Sequence, residues 1–90
     1  MIEKEEIFEK VKMIIEDHVD LAMNYDIQGS TKLKEELGCD SLDGVEISMD
    51  LDKAFGISTD DKDIDAITNG TVNDIVDMVE SKLTQKNKKS

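Results

Sequence analysis

Apolar side chains recur at helical spacing in four parts of the chain. In the first part they share one side, with Glu and Lys on the other, a pattern typical of a long amphipathic helix. The second part of the chain ends at a glycine, which suits a helix C-terminus. The third part is short, and the fourth part begins with Thr-x-x-Asp, the pattern of a capping box. The predicted helices cover residues 3–23, 41–55, 60–67 and 71–83.

A long connection joins the first two predicted helices. Between residues 24 and 40 the helical periodicity fails and Gly, Ser and Thr appear, although Leu33 and Leu37 are expected to pin this segment to the core. The 90 residues suffice for one compact domain. We therefore expect an all-α, small four-helix bundle over residues 1–85, with three main helices, one short helix and a long first loop. A polar, disordered tail is expected over residues 86–90.

Acidic residues dominate the charge of the chain. It contains 22 Asp and Glu against 11 Lys and no Arg, which gives a net charge of −11. Such a surface repels nucleic acid and anionic lipid, so we expect no nucleic acid partner and no membrane insertion, but proteins with basic patches. The single Cys forms no internal disulfide and no secretory signal is recognisable, so a cytoplasmic location is the default expectation.

The second predicted helix has two apolar faces with a stripe of carboxylates between them. One face holds Ile47, Leu51, Ala54 and Phe55, the other holds Leu42, Val45 and Met49, and the acidic stripe consists of Asp43, Glu46 and Asp50. A surface helix needs one apolar face for its core, so the second is either covered by the long loop or exposed for a partner. Periodicity leaves both alternatives open. If exposed, this face and its acids suit reversible docking onto a basic enzyme surface.

A longer motif surrounds the start of this helix. Residues 37–43 match Leu-Gly-x-Asp-Ser-Leu-Asp, and residues 45–46 and 55–57 read Val-Glu and Phe-Gly-Ile. This pattern, together with the order of helices along nearly the whole chain, resembles the acyl carrier protein family. Two departures stand out: Gly44 replaces a larger residue, and residues 58–59 replace a pair that commonly ends in Pro.

The resemblance implies a covalent prosthetic group. Ser41 is expected to accept 4'-phosphopantetheine from coenzyme A, with Asp40 and Leu42 as the flanking motif residues, and the thiol of the arm to carry acyl groups as thioesters. The second helix becomes the recognition helix, with the partner-binding residues Asp43, Val45, Glu46, Met49 and Asp50. Periodicity and resemblance together predict an acyl-chain lining of Ile47, Leu51, Phe55, Ile64, Ile67 and Ile75.

The resemblance also implies which proteins the chain visits. These are a phosphopantetheinyl transferase and the enzymes of acyl transfer and of fatty acid or polyketide synthesis. A carrier that must visit several enzymes is expected to be a monomer.

The chain lacks the residues of a catalytic site. Ser41 would need a base to act as a nucleophile, and the single histidine, His18 on the first helix, is interpreted as a packing or boundary residue. Residues 61–65 have the opening spacing of a calcium loop but lack its Gly and closing Glu, so no metal site is predicted. Cys39 is interpreted as a small packing residue. The chain is thus expected to be a non-catalytic carrier, and Ser41 a substrate of the transferase.

Two alternative functions remain at the level of sequence. A D-alanyl or peptidyl carrier protein shares the fold and the serine but carries an aminoacyl group, and Asp43 after Leu42 favours the acyl class. An acidic helical adaptor with no prosthetic group is the second alternative, in which Ser41 only caps a helix. The adaptor predicts no modification and full function of Ser41→Ala.

Overall fold

Five helices make up the fold in the computed structural model, which describes residues 3–19 and 25–88, with side chains up to residue 85. They are α1 (Lys4–His18), α2 (Leu33–Leu37), α3 (Ser41–Phe55), α4 (Asp61–Asn69) and α5 (Val72–Lys88). An isolated antiparallel bridge joins Lys32 to Thr71. The predicted all-α class is confirmed.

One apolar core lies between the helices. Most of its members come from the stripes predicted at helical spacing, because that spacing turns them to one side of each helix, and the first loop adds Ile27, Leu33, Leu37 and Cys39. The members are Ile7, Val11, Ile15, Ile27, Leu33, Leu37, Cys39, Ile47, Leu51, Phe55, Ile67, Val72, Ile75, Val76 and Val79. Full burial of each large member contributes about 1.5–3 kcal/mol. Within residues 3–19 and 25–88, no helix has both the length and the apolar character needed to cross a bilayer.

The long first loop contains a short helix that the sequence analysis missed. α2 spans five residues and ends at Gly38, whose φ of 72° is left-handed. Helices of this length are unstable alone, so packing of the buried Leu33 and Leu37 holds α2 in place. The predicted anchoring by these leucines is confirmed. Their i, i+4 spacing before a glycine was the available signal for a helical turn.

Backbone hydrogen bonds tie this loop to the start of α5. The Val72 N–H donates to the Thr31 carbonyl at 3.1 Å, and the Leu33 N–H donates to the Gly70 carbonyl at 3.3 Å. Thr31 is itself buried. These contacts set the path of the chain into α2 and from there into α3.

The predicted end of the first helix is wrong. α1 ends at His18, because Val19 already has extended backbone angles (φ −127°, ψ 105°). The apolar pattern continued to Ala22 and Met23, which lie outside the described residues. Apolar spacing alone marks no C-terminus, and this segment has no glycine to mark one.

Two further details differ from the predicted helices. Ala54, assigned to the buried face of α3, is exposed because it lies at the edge of that face. The backbone of α5 is helical to Lys88, beyond the predicted helix end at residue 83. The domain boundary at residue 85 and the disordered tail stay predictions.

Gly44 allows α3 and α4 to pack closely. A Cβ atom at this position would lie 2.0 Å from the Thr68 Oγ1 atom of α4. Thr68 is buried, and its hydroxyl donates to the Ile64 carbonyl at 3.0 Å. A glycine inside a helix is unfavourable by roughly 0.5–1 kcal/mol relative to alanine, and the close packing offsets this. The space beside Gly44 is thus occupied by a side chain from α4.

Candidate functional site

The start of α3 is held by a reciprocal pair of hydrogen bonds, which we call the first box (Asp40 and Asp43). The Asp40 Oδ1 atom accepts from the Asp43 N–H at 3.0 Å, and the Asp43 Oδ2 atom accepts from the Asp40 N–H at 3.1 Å. Asp40 is therefore the N-cap, and Ser41 occupies the first helical position. From the sequence either Asp40 or Ser41 could cap the helix, and the structure assigns the cap to Asp40.

Cys39 anchors the chain in the core just before the first box. Its side chain is 2% exposed and belongs to the core. Burial, and then the charges of Asp43 and Asp40, raise the pKa of the Cys39 thiol to about 11. The thiol is thus neutral at physiological pH, and its interpretation as a packing residue agrees with the structure.

Ser41 presents a free hydroxyl at the surface. The residue is exposed, and within the described residues its Oγ atom has no hydrogen-bond partner. Ser48, on the same helix, is buried, and its hydroxyl donates to the Val45 carbonyl at 2.6 Å. Of these two serines in α3, only Ser41 offers an accessible oxygen for modification.

One apolar face of α3 is open to solvent. Leu42 is 65% exposed, Met49 54% and Val45 37%. These three residues are called the docking face from here on. The structure thereby decides between the two alternatives left by periodicity, because the loop does not cover this face. Exposed apolar patches with polar residues around them mark interaction sites.

The acidic stripe beside the docking face has internal partners. Asp43 belongs to the first box. Glu46 and Asp50 face His18 of α1: the Glu46 Oε1 atom lies 3.4 Å from His18 Nδ1, and Asp50 hydrogen-bonds to His18 Nε2. Sequence reasoning missed these contacts, because the residues are 28 and 32 positions apart and no local pattern connects them.

The residues of the predicted acyl-chain lining belong to α3, α4 and α5. Five of its six members belong to the core, namely Ile47, Leu51, Phe55, Ile67 and Ile75. Ile64 is half-buried at the contact between α3 and α4. The structure thus brings the predicted lining together between three helices, with Ile64 at its edge.

Comparison with known proteins gives a family match across this site. A family model described as "Phosphopantetheine attachment site" matches residues 10–79. An acyl carrier protein of Thermotoga maritima is 42% identical over 83 residues, which cover 92% of this chain and 99% of that protein. An acyl carrier protein of Coprothermobacter proteolyticus is 34% identical over 85 residues, covering 94% of this chain and 100% of that protein.

A plant protein is also similar. Acyl carrier protein 2, chloroplastic, of Spinacia oleracea is 38% identical over 78 residues, which cover 87% of this chain and 58% of that protein. The adaptor alternative has no support from these matches, because the matched domain is defined by a prosthetic group. The chain belongs to the acyl carrier protein family, the non-catalytic carriers of phosphopantetheine.

Proposed function

We propose that the Ser41 Oγ atom is the attachment point of phosphopantetheine and that acyl groups are presented from the N-terminal end of α3. One observation carries this proposal: an exposed, unpartnered hydroxyl stands at the first position of a capped helix, beside the docking face. Asp40 orders this end of the helix, and Leu42 begins the apolar surface that a modifying enzyme contacts.

The chain's own residues prepare Ser41 for transfer but do not activate it. The transfer forms a phosphodiester at Ser41 Oγ and breaks the pyrophosphate bond of coenzyme A, which releases adenosine 3',5'-bisphosphate, while the Ser41 proton leaves to a base. His18 is no candidate for that base, because it contacts Glu46 and Asp50, about 8–14 Å further along the α3 axis. The transferase must therefore supply the base.

The N-terminus of α3 tolerates the resulting charge. A phosphodiester at Ser41 lies near the positive end of the helix dipole, which favours an anion by about 0.3–1 kcal/mol. When bound, phosphopantetheine supplies a flexible arm ending in a thiol, which holds an acyl group as a thioester. The role left to the protein is to fix the position from which this arm extends.

The attachment is tested by intact mass spectrometry after incubation with coenzyme A, magnesium and a phosphopantetheinyl transferase. We expect the protein to gain the mass of one phosphopantetheine group and Ser41→Ala to gain none. Ser58→Ala, which removes another exposed hydroxyl, is the control and is expected to be modified like the unchanged protein. Modification of Ser41→Ala would overturn the proposal.

We also propose that partners bind the docking face and the stripe formed by Asp43, Glu46 and Asp50. Apolar residues edged by carboxylates fit a basic, partly apolar surface, and such interfaces associate quickly and transiently. The transferase is the first such partner. Enzymes of acyl transfer and of fatty acid or polyketide synthesis are the others that we propose.

A matched pair of methionines tests the docking face. Met49 and Met13 are 54% and 63% exposed, but Met13 lies on α1, outside this face. We expect Met49→Ala to raise the KM of the transferase for the carrier about three- to tenfold, since apolar contact is worth about 0.8 kcal/mol per buried methylene. Met13→Ala should leave KM unchanged. Equal effects of the two substitutions would exclude this face as the binding site.

We further propose that the acyl chain is sheltered by Ile47, Leu51, Phe55, Ile64, Ile67 and Ile75. Leu51→Phe adds side-chain volume among these residues, and Ile15→Phe is the control because Ile15 is equally buried but belongs to α1. Melting temperatures are to be compared for carriers loaded with acyl chains of increasing length. We expect Leu51→Phe alone to shift the stabilising effect to shorter chains, and an unchanged length dependence would contradict the lining.

Three finer points rest on the sequence and stay proposals. The carrier acts as a monomer in the cytoplasm, and its cargo is an acyl group, not an aminoacyl group. The acyl class is supported by the names of the relatives in Thermotoga maritima and Coprothermobacter proteolyticus. Size-exclusion chromatography tests the monomer, and parallel loading with fatty acyl and aminoacyl donors tests the cargo.

A further inference from the structure

His18 is the last residue of α1 and faces two carboxylates of α3. Its Nε2 atom hydrogen-bonds to Asp50, and its Nδ1 atom lies 3.4 Å from the Glu46 Oε1 atom. The His18 side chain is 21% exposed, whereas those of Glu46 and Asp50 are 49% and 40% exposed. Each ring nitrogen of His18 thus faces one of the two acids.

These two acids also border the docking face. Glu46 lies four positions after the exposed Leu42 and three before the exposed Met49, spacings that make helical side chains neighbours, and Asp50 follows Glu46 one turn later. A partner that covers the docking face with basic residues around its edge would meet both carboxylates. His18 is already in contact with them in the free protein.

α1 runs antiparallel to α3, which explains why His18 reaches this position. The Lys10 Nζ atom lies 5.7 Å from the centre of the Phe55 ring near the end of α3, whereas His18 contacts its middle. His18 also stands at the C-terminal end of α1, where a cation is favoured by the helix dipole. His18 is thus positioned by the end of α1 and held there by its contacts with α3.

We propose that His18 competes with the basic residues of partner proteins for Glu46 and Asp50. The inference rests on the proposed docking face and adds how its affinity is set. Partly exposed ion pairs are weak, so a lysine or arginine of the partner can replace the histidine reversibly. The contact lowers the negative potential that attracts the partner and keeps docking transient, as a carrier with several partners requires.

The test uses two substitutions of His18 that differ in charge. Steady-state kinetics of a phosphopantetheinyl transferase are measured with the full chain and coenzyme A, with the carrier concentration varied. We expect His18→Gln, which removes the imidazole ring that contacts both acids, to lower the KM for the carrier about two- to fivefold, the range of a single exposed ion pair, with kcat unchanged. His18→Lys places an ammonium group opposite the same two acids and should not lower the KM. At about 1 M salt, where charges are screened beyond roughly 3 Å, the difference should disappear.

Lys4 of α1 provides the control for net charge. It pairs with Asp77 at 2.9 Å at the opposite end of the helix, so Lys4→Gln removes a positive charge away from the docking face. We expect its KM to equal that of the unchanged protein. Circular dichroism checks that all three variants keep their helical content.

Two results would overturn the inference. One is a KM of His18→Gln that is equal to or higher than that of the unchanged protein, since removal of a competitor must strengthen binding. The other is an equal fall in KM for Lys4→Gln, which would assign the effect to net charge. Both presuppose normal modification of Ser41, whereas failure of the proposed function would show as modification of Ser41→Ala.

Discussion

Capping boxes begin α3, α4 and α5, and those of α3 and α4 are both built from two aspartates, but only α3 carries the candidate site. The second box (Asp60 and Asp63) starts α4 with hydrogen bonds of 2.9 and 3.0 Å, and the first box starts α3 with bonds of 3.0 and 3.1 Å. The N-cap backbone angles agree closely, with φ −113° and ψ −172° in the first and φ −110° and ψ −174° in the second. The capping geometry by itself therefore makes no site.

The difference lies between and around the paired aspartates. The first box encloses Ser-Leu, which gives a free hydroxyl and the start of the docking face. The second encloses Asp-Lys, and its Asp63 forms an ion pair of 2.8 Å with Lys82 of α5. One box leaves its helix end available to a partner, whereas the other binds its helix end to the rest of the fold. The same cap thus serves function in one place and stability in the other.

Substitution of the residue that follows the first box is expected to have the largest effect on stability. Gly44 follows the first box and Ile64 the second, and a methyl group at Gly44 would meet Thr68 Oγ1 at 2.0 Å. We expect Gly44→Ala to lower the free energy of unfolding by about 1–3 kcal/mol, the usual range for overpacking. Urea denaturation measures this value. Thr68→Ala in the same chain should restore most of it, and independent, additive effects would argue against the close contact.

Removal of the two caps separates their roles. Asp40→Ala and Asp60→Ala should each lower the free energy of unfolding by about 0.5–2 kcal/mol, because each leaves the first backbone N–H groups of a helix without an acceptor. Only Asp40→Ala should slow modification by the transferase, since only the first box orders Ser41. Equal rates for the two variants, measured by mass spectrometry over time, would mean that the first box has no part in recognition.

The ion pair of the second box predicts a smaller effect that depends on pH. Partial burial opposes ionisation of Asp63, but hydrogen bonds from Lys82 and from the Asp60 N–H outweigh it and hold the pKa of Asp63 below its ordinary value. Stability from this shift is present above the ordinary pKa of aspartate, near 3.9, and is lost as the pH falls through the lowered folded value.

Asp63→Asn tests this sign. We expect it to lower the free energy of unfolding by about 1 kcal/mol at neutral pH, with a difference from the unchanged protein that shrinks below about pH 4. Asp43→Asn changes the same carboxylate in the first box, which has no lysine partner, and serves as the control. Urea denaturation between pH 3 and 7 provides the values. A difference that grows towards acid pH would contradict the direction of the shift.

The sequence predicted well what local patterns encode. Helical spacing located α1, α3, α4 and α5, Gly56 marked the end of α3 with a left-handed φ of 65°, and Thr71 and Asp74 formed the expected capping box. The start of α3 at Ser41 was also correct, because apolar spacing and the motif agreed there, although the sequence allowed either Asp40 or Ser41 as the cap.

Contacts between distant segments could not be predicted in this way. The role of Gly44 depends on Thr68 from another helix, and the partners of Glu46 and Asp50 depend on His18. Whether the second apolar face of α3 is covered depends on the path of the loop, about which periodicity is silent. α2 was not predicted, because one helical turn offers too few positions for a period to be recognised.

The most direct test moves the serine from one box to the other. In the double variant Ser41→Ala and Asp61→Ser, the first box loses its hydroxyl, and the second gains one at the same helical position, because Asp61 is the first residue of α4. The intact mass is measured after incubation with coenzyme A, magnesium and the transferase. We predict no gain in mass, because the second box lacks the docking face; a gain of one phosphopantetheine group would show that a capped serine is sufficient and would contradict this account of the site.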